Sequence, residues 1–272
     1  MGRVSDRRRI LRVGPEQRRF RADTLLGEEP LEIQLNGAAY TVTMRTPGDD
    51  VDLALGLLHS EAVISTAEDT VTAKHCTDSD LNVLDVTLRV TAPPPRTGFT
   101  VSSACGACGT SSLDALWEYL TPRLRYEIAS DPVSVEVPVL TGVPEKLRAA
   151  QRTFSRTGGS HGAALFTSDG DLLCVREDVG RHNAVDKVIG WALREGRLPL
   201  NGNLLAVSGR VGAEIVQKAA MAGIPVLAAI SAPSTLAVDL AQRWGMTLAG
   251  FVRDGRCNVY SGFDRIADDV TT

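Results

Sequence analysis

The sequence predicts an α/β protein, with a layered α/β domain in the second half of the chain and a smaller α+β domain before it. Three observations carry this expectation. After Pro144, apolar strand-sized runs alternate with segments of helical period, which implies a mostly parallel sheet covered on both faces. Before it, strand patterns and one short helix gather around an Asn-Gly turn. The chain has 272 residues, 43% of them hydrophobic, enough for one large or two modest domains with a substantial core. The patterns divide it into a basic arm (1–25), an α+β domain (26–140) and an α/β domain (141–272).

The arm carries Arg3, Arg7, Arg8, Arg9, Arg12, Arg18, Arg19 and Arg21 without an apolar run, so it reads as neither a signal peptide nor a membrane span. It is expected to be solvated and partly disordered, or to grip an acidic partner or a phosphate. Next, Leu31, Ile33 and Leu35, then Asn36-Gly37, then Tyr40 and Val42 predict a β-hairpin. Thr46-Pro47-Gly48-Asp49-Asp50 ends the strand and starts a helix bearing Val51, Ala54, Leu55 and Leu58. Alternation from Leu81 to Val90 predicts another strand. Pro132, Pro138 and Pro144 then punctuate a linker or crossover.

The second half predicts a helix from about Glu145 and a hairpin of strands 163–166 and 172–175. After these come helices 181–194, 212–222 and 235–244, alternating with strands 204–207, 226–230 and 247–252. Ligands of such sheets bind beyond the carboxyl ends of the strands. Ser208-Gly209-Arg210 and Ser231-Ala232-Pro233-Ser234-Thr235 occupy such ends and enter helices, where free N–H groups favour anions. They suit nucleotide-like binding, although each turn also wants glycine and a cap for structural reasons. In Arg176-Glu177-Asp178-Val179-Gly180-Arg181-His182-Asn183, His182 either serves acid–base work or a ligand, or bonds Asp186 one turn on.

Cys105-Gly106-Ala107-Cys108-Gly109 precedes Thr110-Ser111-Ser112-Leu113-Asp114, which has capping-box spacing, and a helical stripe of Leu113, Leu116, Trp117 and Leu120. A helix N-terminus stabilises a thiolate, and a thiolate is the nucleophile. Four readings stay open on spacing alone: half a zinc site, a redox dithiol, a sulfur-carrying thiol, and an incidental turn. Five cysteines, an odd number, argue against a disulfide framework and for a reducing compartment, so the chain reads as cytoplasmic. A net charge of −4 and 5% aromatic residues, with no basic stripe, give no support to nucleic acid binding.

The ordered motifs together resemble the FdhD family, the formate dehydrogenase accessory sulfurtransferases. They are Glu29-Pro30-Leu31 with Asn36-Gly37, Arg45 to Asp50 with Asp52-Leu53-Ala54, and the cysteine loop 105–109. Thr157-Gly158-Gly159-Ser160-His161, Arg176 to Asn183, and Phe251-Val252-Arg253 with Asn258-Val259-Tyr260 complete the set. The resemblance implies a cytidine-deaminase-like α/β/α C-terminal domain lacking the deaminase zinc; the sequence itself gives no expectation of membrane association. Cys105 would accept sulfur as a persulfide from a cysteine desulfurase. It would pass the sulfur to the molybdenum cofactor, the bis-molybdopterin guanine dinucleotide form, for formate dehydrogenase activation. Cys108 would resolve the persulfide or tune Cys105. The cofactor would meet Ser208, Gly209, Arg210, Ser231, His182 and the segment Phe251, Val252, Arg253, Asp254, Gly255 and Arg256. A homodimer is also implied. The competing readings are a thiol–disulfide oxidoreductase and a cofactor chaperone whose thiols are dispensable.

Overall fold

A computed structural model of the chain describes residues 2–15, 18–76, 82–93 and 124–267. The arginine-rich start, expected to be partly disordered, is instead a hairpin of β1 (Ser5–Val13) and β2 (Arg18–Leu26). Charge dominated the sequence expectation, but Ile10, Leu11 and Phe20 favour strands, and the Arg9 guanidinium stacks 4.1 Å from the Phe20 ring centre.

The first unit is a four-stranded sheet backed by one helix. β3 (Glu29–Leu35) and β4 (Ala38–Arg45) form the expected hairpin, with Asn36 and Gly37 at φ of 53° and 79° in the turn. β5 (Thr70–His75) and β6 (Val83–Leu88) complete the order β4-β3-β6-β5. β5 was not anticipated, because its polar sequence lies on the sheet edge and lacks an apolar alternation. α1 (Asp50–Ser60) packs Leu53, Ala54 and Leu58 onto Leu31, Ile33, Leu84 and Val86.

The second unit begins with β7 (Val135–Glu136), which pairs with the late β14 (Ile266–Ala267), and continues directly into α2 (Val137–Ala150). The expected start at Glu145 was too late, and α2 runs across residue 140. Pro138 sits in the first turn, where a missing N–H costs nothing, and Pro144 is accepted inside the helix between buried Leu140, Val143 and Leu147. Then follow α3 (Arg152–Thr157), β8 (His161–Thr167), β9 (Leu172–Asp178), α4 (Arg181–Arg194) and β10 (Asn203–Val207). The chain continues through α5 (Ala213–Met221), β11 (Val226–Ala229), α6 (Thr235–Arg243), β12 (Thr247–Arg253) and β13 (Arg256–Ser261).

The six-stranded sheet has the order β13-β12-β11-β10-β8-β9. Only β10, β11 and β12 run parallel, so the expected mostly parallel sheet is in fact mixed. Tight turns joining β8 to β9 and β12 to β13 force antiparallel pairs at both flanks. Alternation sorts the side chains. Leu165, Leu205, Val207, Leu227 and Leu248 face α4, α5 and α6, while Ala164, Phe166, Leu204, Val226 and Ala249 face α2.

The two units meet where α1 crosses α4. A Cβ on Gly56 would stand 1.8 Å from the Asp186 carbonyl oxygen, and one on Gly190 would stand 1.8 Å from that of Asp52, so backbone touches backbone at both glycines. Buried ion pairs frame the crossing. Arg45 binds Asp50 through both oxygens at 3.0 Å, Lys187 meets Asp178 at 2.7 Å, and Lys218 meets Asp186 at 2.8 Å. Asp52 receives Arg176 at 2.8 Å and Arg194 at 2.9 Å. The Thr46 N–H donates to Asp178, Asn183 donates to the Met44 carbonyl, and the Ser60 hydroxyl donates to Asp186. Among the described residues no helix is long and apolar enough to cross a membrane.

Candidate functional site

The segments at the carboxyl ends of β10, β11 and β12 are stitched into one surface. The Val211 N–H donates to the Ala232 carbonyl at 3.2 Å, and the Ser234 N–H to the Val211 carbonyl at 2.9 Å. The Phe251 N–H donates to the Ser231 carbonyl at 3.2 Å. Three segments distant in sequence, 208–212, 231–235 and 251–256, are thereby adjacent, the first two following β10 and β11 and the third containing the end of β12.

Within the first loop, Ser208 clamps the start of β8: its N–H donates to the Gly162 carbonyl at 2.9 Å and its hydroxyl accepts the Gly162 N–H at 2.8 Å. Gly209 lies against the imidazole of His161, whose Nδ1 would be 3.2 Å from an added Cβ. Arg210 is exposed and has no carboxylate partner among the described residues. α5 starts at Gly212 with no side-chain cap, so its first N–H groups face the loop surface. In the second loop Ser234 caps α6, accepting the Ala237 N–H at 3.2 Å.

His182 does not bond Asp186, as one sequence reading had it. Asp186 is already held by Ser60 and Lys218, and the His182 Nε2 lies 2.9 Å from Glu214 Oε2, out of line for a hydrogen bond. Glu214, in the first turn of α5, was missed because nothing local in sequence announces a contact between two helices. His161 completes the cluster. Burial lowers the pKa of its ring from the usual histidine value, with Arg181 acting in the same direction and Asp178 opposing.

The third segment is not a loop leaving the last strand, as expected, but the end of β12, a tight turn and the start of β13. Asp254 and Gly255, at φ of 52° and 72°, make the turn, a two-residue signal legible in the Asp-Gly pair. Just before it the pairing slips between Gly250 and Arg253, and Phe251 takes a φ of 51°. Ala249 and Val252, three residues apart, consequently face the same core, and the intervening Phe251 turns outward. A cleft of about 470 Å³ opens there, lined by Phe251, Arg253, Asp254, Arg256, Cys257 and Asn258. Val252 is fully buried and does not line it. Gly250 lets this strand approach the second loop, since a Cβ there would come within 2.8 Å of Pro233.

Cys105 and Cys108, with the helix expected after them, lie outside the described residues. Of the other thiols, burial pushes Cys174 up to about 12 and also raises Cys257, so neither is a ready nucleophile. Among the described residues no three His, Cys, Asp or Glu side chains converge as metal ligands.

The family model described as FdhD/NarQ matches residues 26–267. The chain belongs to the FdhD/NarQ family. The sulfur carrier protein FdhD of Nocardia farcinica is 51% identical over 271 residues, covering 97% of this chain and 96% of its own. The protein of the same name from Mycobacterium tuberculosis is 49% identical over 280 residues, covering 98% and 100% respectively. The crystal structure of a Desulfotalea psychrophila chain, provisionally named a formate dehydrogenase accessory protein, superposes with a TM-score of 0.77 at 25% identity. It covers 97% of this chain and 100% of that one. All of the β1–β2 hairpin except Leu26 precedes the segment matched by the FdhD/NarQ model.

Proposed function

We propose that this chain is a sulfur carrier that receives sulfur on Cys105 from a cysteine desulfurase and delivers it to a bis-molybdopterin guanine dinucleotide cofactor for formate dehydrogenase. The observation that carries the cofactor half of this reading is the stitching of two strand-end loops and the β12–β13 turn into one surface, with Arg210, Arg253 and Arg256 exposed upon it. Phosphates suit guanidinium forks and helix N-termini, and Phe251 offers a ring face for a base or pterin. Support for the carrier half comes from the shared family and from the relatives' name. The strand order β9-β8-β10-β11-β12, antiparallel then parallel, supports a cytidine-deaminase-like second domain. A cytoplasmic homodimer belongs to the same reading.

In the loading step the Cys105 thiolate attacks the outer sulfur of the donor's persulfide. The donor S–S bond breaks, its electron pair leaves on the donor cysteine, and a new S–S bond forms on Cys105. In delivery the acceptor centre supplies the electron pair that binds the outer sulfur, and Cys105 departs as thiolate.

The test is intact-mass and peptide mass spectrometry after incubation with a cysteine desulfurase and cysteine. A gain of about 32 mass units on the Cys105 peptide is expected, absent in Cys105→Ala, which should also abolish formate dehydrogenase activation. A loss of two hydrogens alone would move the assignment to a dithiol oxidoreductase. Full activation by Cys105→Ala would leave only the chaperone role.

A further inference from the structure

The β1–β2 ribbon is outside the site described above and is built like a contact surface. Both of its faces are largely exposed, and its attachments to the body are confined to its base. There the Gly27 N–H donates to the Val4 carbonyl, the Arg3 N–H to Glu29, and Arg156 to Ser5. The distal half pairs Leu11 with Phe20, Arg12 with Arg19 and Val13 with Arg18. Val13 and Phe20 are 65% and 62% exposed, an apolar tip that water does not favour. Arg12 directly opposes Arg19, a like-charge pair that destabilises an isolated ribbon. A lone two-stranded ribbon is marginal in water, so this one gains from a partner.

Charge indicates which partner. Residues 1–25 hold eight arginines against Asp6, Glu16 and Asp23, a balance of +5, and since the whole chain carries −4 the remainder carries −9. Among the described residues Asp6 and Asp23 pair with Arg8 and Arg21, whereas Arg7, Arg9, Arg12, Arg18 and Arg19 have no carboxylate at ion-pair distance. At the amino ends of the parallel strands a hollow of about 480 Å³ is lined by Glu127, Ser130, Asp131 and Ser168. Asp169 and Asp171 are exposed on the adjoining turn. Of the cations nearby, Lys146 is bonded to the Gly170 carbonyl, Arg125 donates to the Ile64 and Ala62 carbonyls, and Arg265 is buried on backbone carbonyls. The ribbon is rooted beside Gly159 at the opposite end of the sheet, next to the start of β8.

We infer that the ribbon docks on a second copy of this chain, its arginines over the acidic hollow, with a two-fold axis making the contact reciprocal. A two-fold contact is self-complementary, so a ribbon that meets the other copy's hollow is matched by the same contact in return. The inference rests on the reading of the chain as a dimer, and its test reads association, not sulfur transfer.

Sedimentation equilibrium of the full chain at 50 mM and 500 mM NaCl is the experiment. A dimer at low salt that loosens at high salt is expected. Arg12→Glu/Arg18→Glu/Arg19→Glu should raise its dissociation constant about 100-fold or more. Glu127→Arg/Asp169→Arg should do the same, and mixing the two variants should restore a heterodimer, because one of its contacts is then native and the other complementary with both charges reversed. A wild-type monomer overturns the dimer reading itself. A wild-type dimer unchanged in both variants, or variants that stay monomeric when mixed, overturns the ribbon interface alone. Binding of a labelled 20-base-pair DNA that vanishes in the triple variant, with wild type monomeric, would hand the ribbon to nucleic acid instead.

Discussion

Two regions of this protein look alike in sequence and differ in space. The motifs Arg45 to Asp52 and Arg176 to Asn183 carry arginines and carboxylates beside turn glycines, and the strand-end segments 208–212 and 251–256 carry arginines in the same kind of setting. In the first pair of motifs the charges are buried and partnered: Arg45 by Asp50, Asp52 by Arg176 across the two units, and Asp178 by the nearby Lys187, with Arg45, Asp52, Asp178 and Lys187 1%, 2%, 0% and 1% exposed. In the second, Arg210, Arg253 and Arg256 face solvent with no carboxylate at ion-pair distance among the described residues. A charged motif with internal partners holds the fold together, and one without them is available to a ligand.

The sharpest way to break this contrast is at Lys187. Its ammonium meets Asp178 at 2.7 Å and donates to the Thr46 carbonyl at 2.9 Å, all out of water. Lys187→Met strands a buried carboxylate and should cost about 3–5 kcal/mol in urea unfolding. A loss below about 1 kcal/mol would show that the crossing tolerates an unpaired charge.

A pH series sharpens the same side. His59 is fully buried with Nε2 3.0 Å from the Met221 carbonyl, and burial lowers its pKa from 6.5 to about 4. The unfolded chain therefore takes up this proton before the folded one does. The contribution is present above pH 6.5 and is lost as pH falls from 6.5 towards 4, by up to about 3 kcal/mol. Comparing unfolding of wild type and His59→Gln at pH 7, 5 and 4 isolates it. Parallel curves for the two proteins would remove His59 from the acid response.

The smallest effects belong to the outward region. Arg210→Ala and Arg253→Ala should leave stability within about 0.5 kcal/mol, yet each should weaken GDP binding by about 1.5–3 kcal/mol. GDP should bind more tightly than ADP by calorimetry. Equal affinities for the two nucleotides, or full affinity in both variants, would remove the guanine dinucleotide from these loops.

Much of the second unit was legible because β-strands and helices there repeat a clean pattern: helix 181–194 and strands 204–207 and 226–230 fall within a residue of their observed limits. The failures have local causes. Pro144 reads as a breaker, yet tertiary packing of Leu140 and Leu147 carries α2 through it. β5 pairs at an edge and needs no apolar alternation. β13 follows an Asp-Gly turn, and the charges flanking that pair mask the hairpin signal by suiting a cofactor loop equally well. At the site, the three segments could be named from strand-to-helix logic, whereas the His182–Glu214 contact spans two helices and has no sequence period to reveal it. That Arg45, Asp52 and Asp178 serve the crossing of the two units was equally invisible, since a carboxylate in a motif does not say which way it faces.

The slip in β12 has a consequence for how this protein can change. A regular pleat would send Phe251 inward beside Ala249 and leave Val252 wet; the single extra residue exchanges them. The aromatic lip of the cleft and the dry packing against α2 are thus set by one count of residues. Substitutions at Phe251 can retune the lip gradually, but deleting any one residue between Ala249 and Arg253 alters both surfaces in the same step. Length, in this strand, is as much a part of the specification as chemistry.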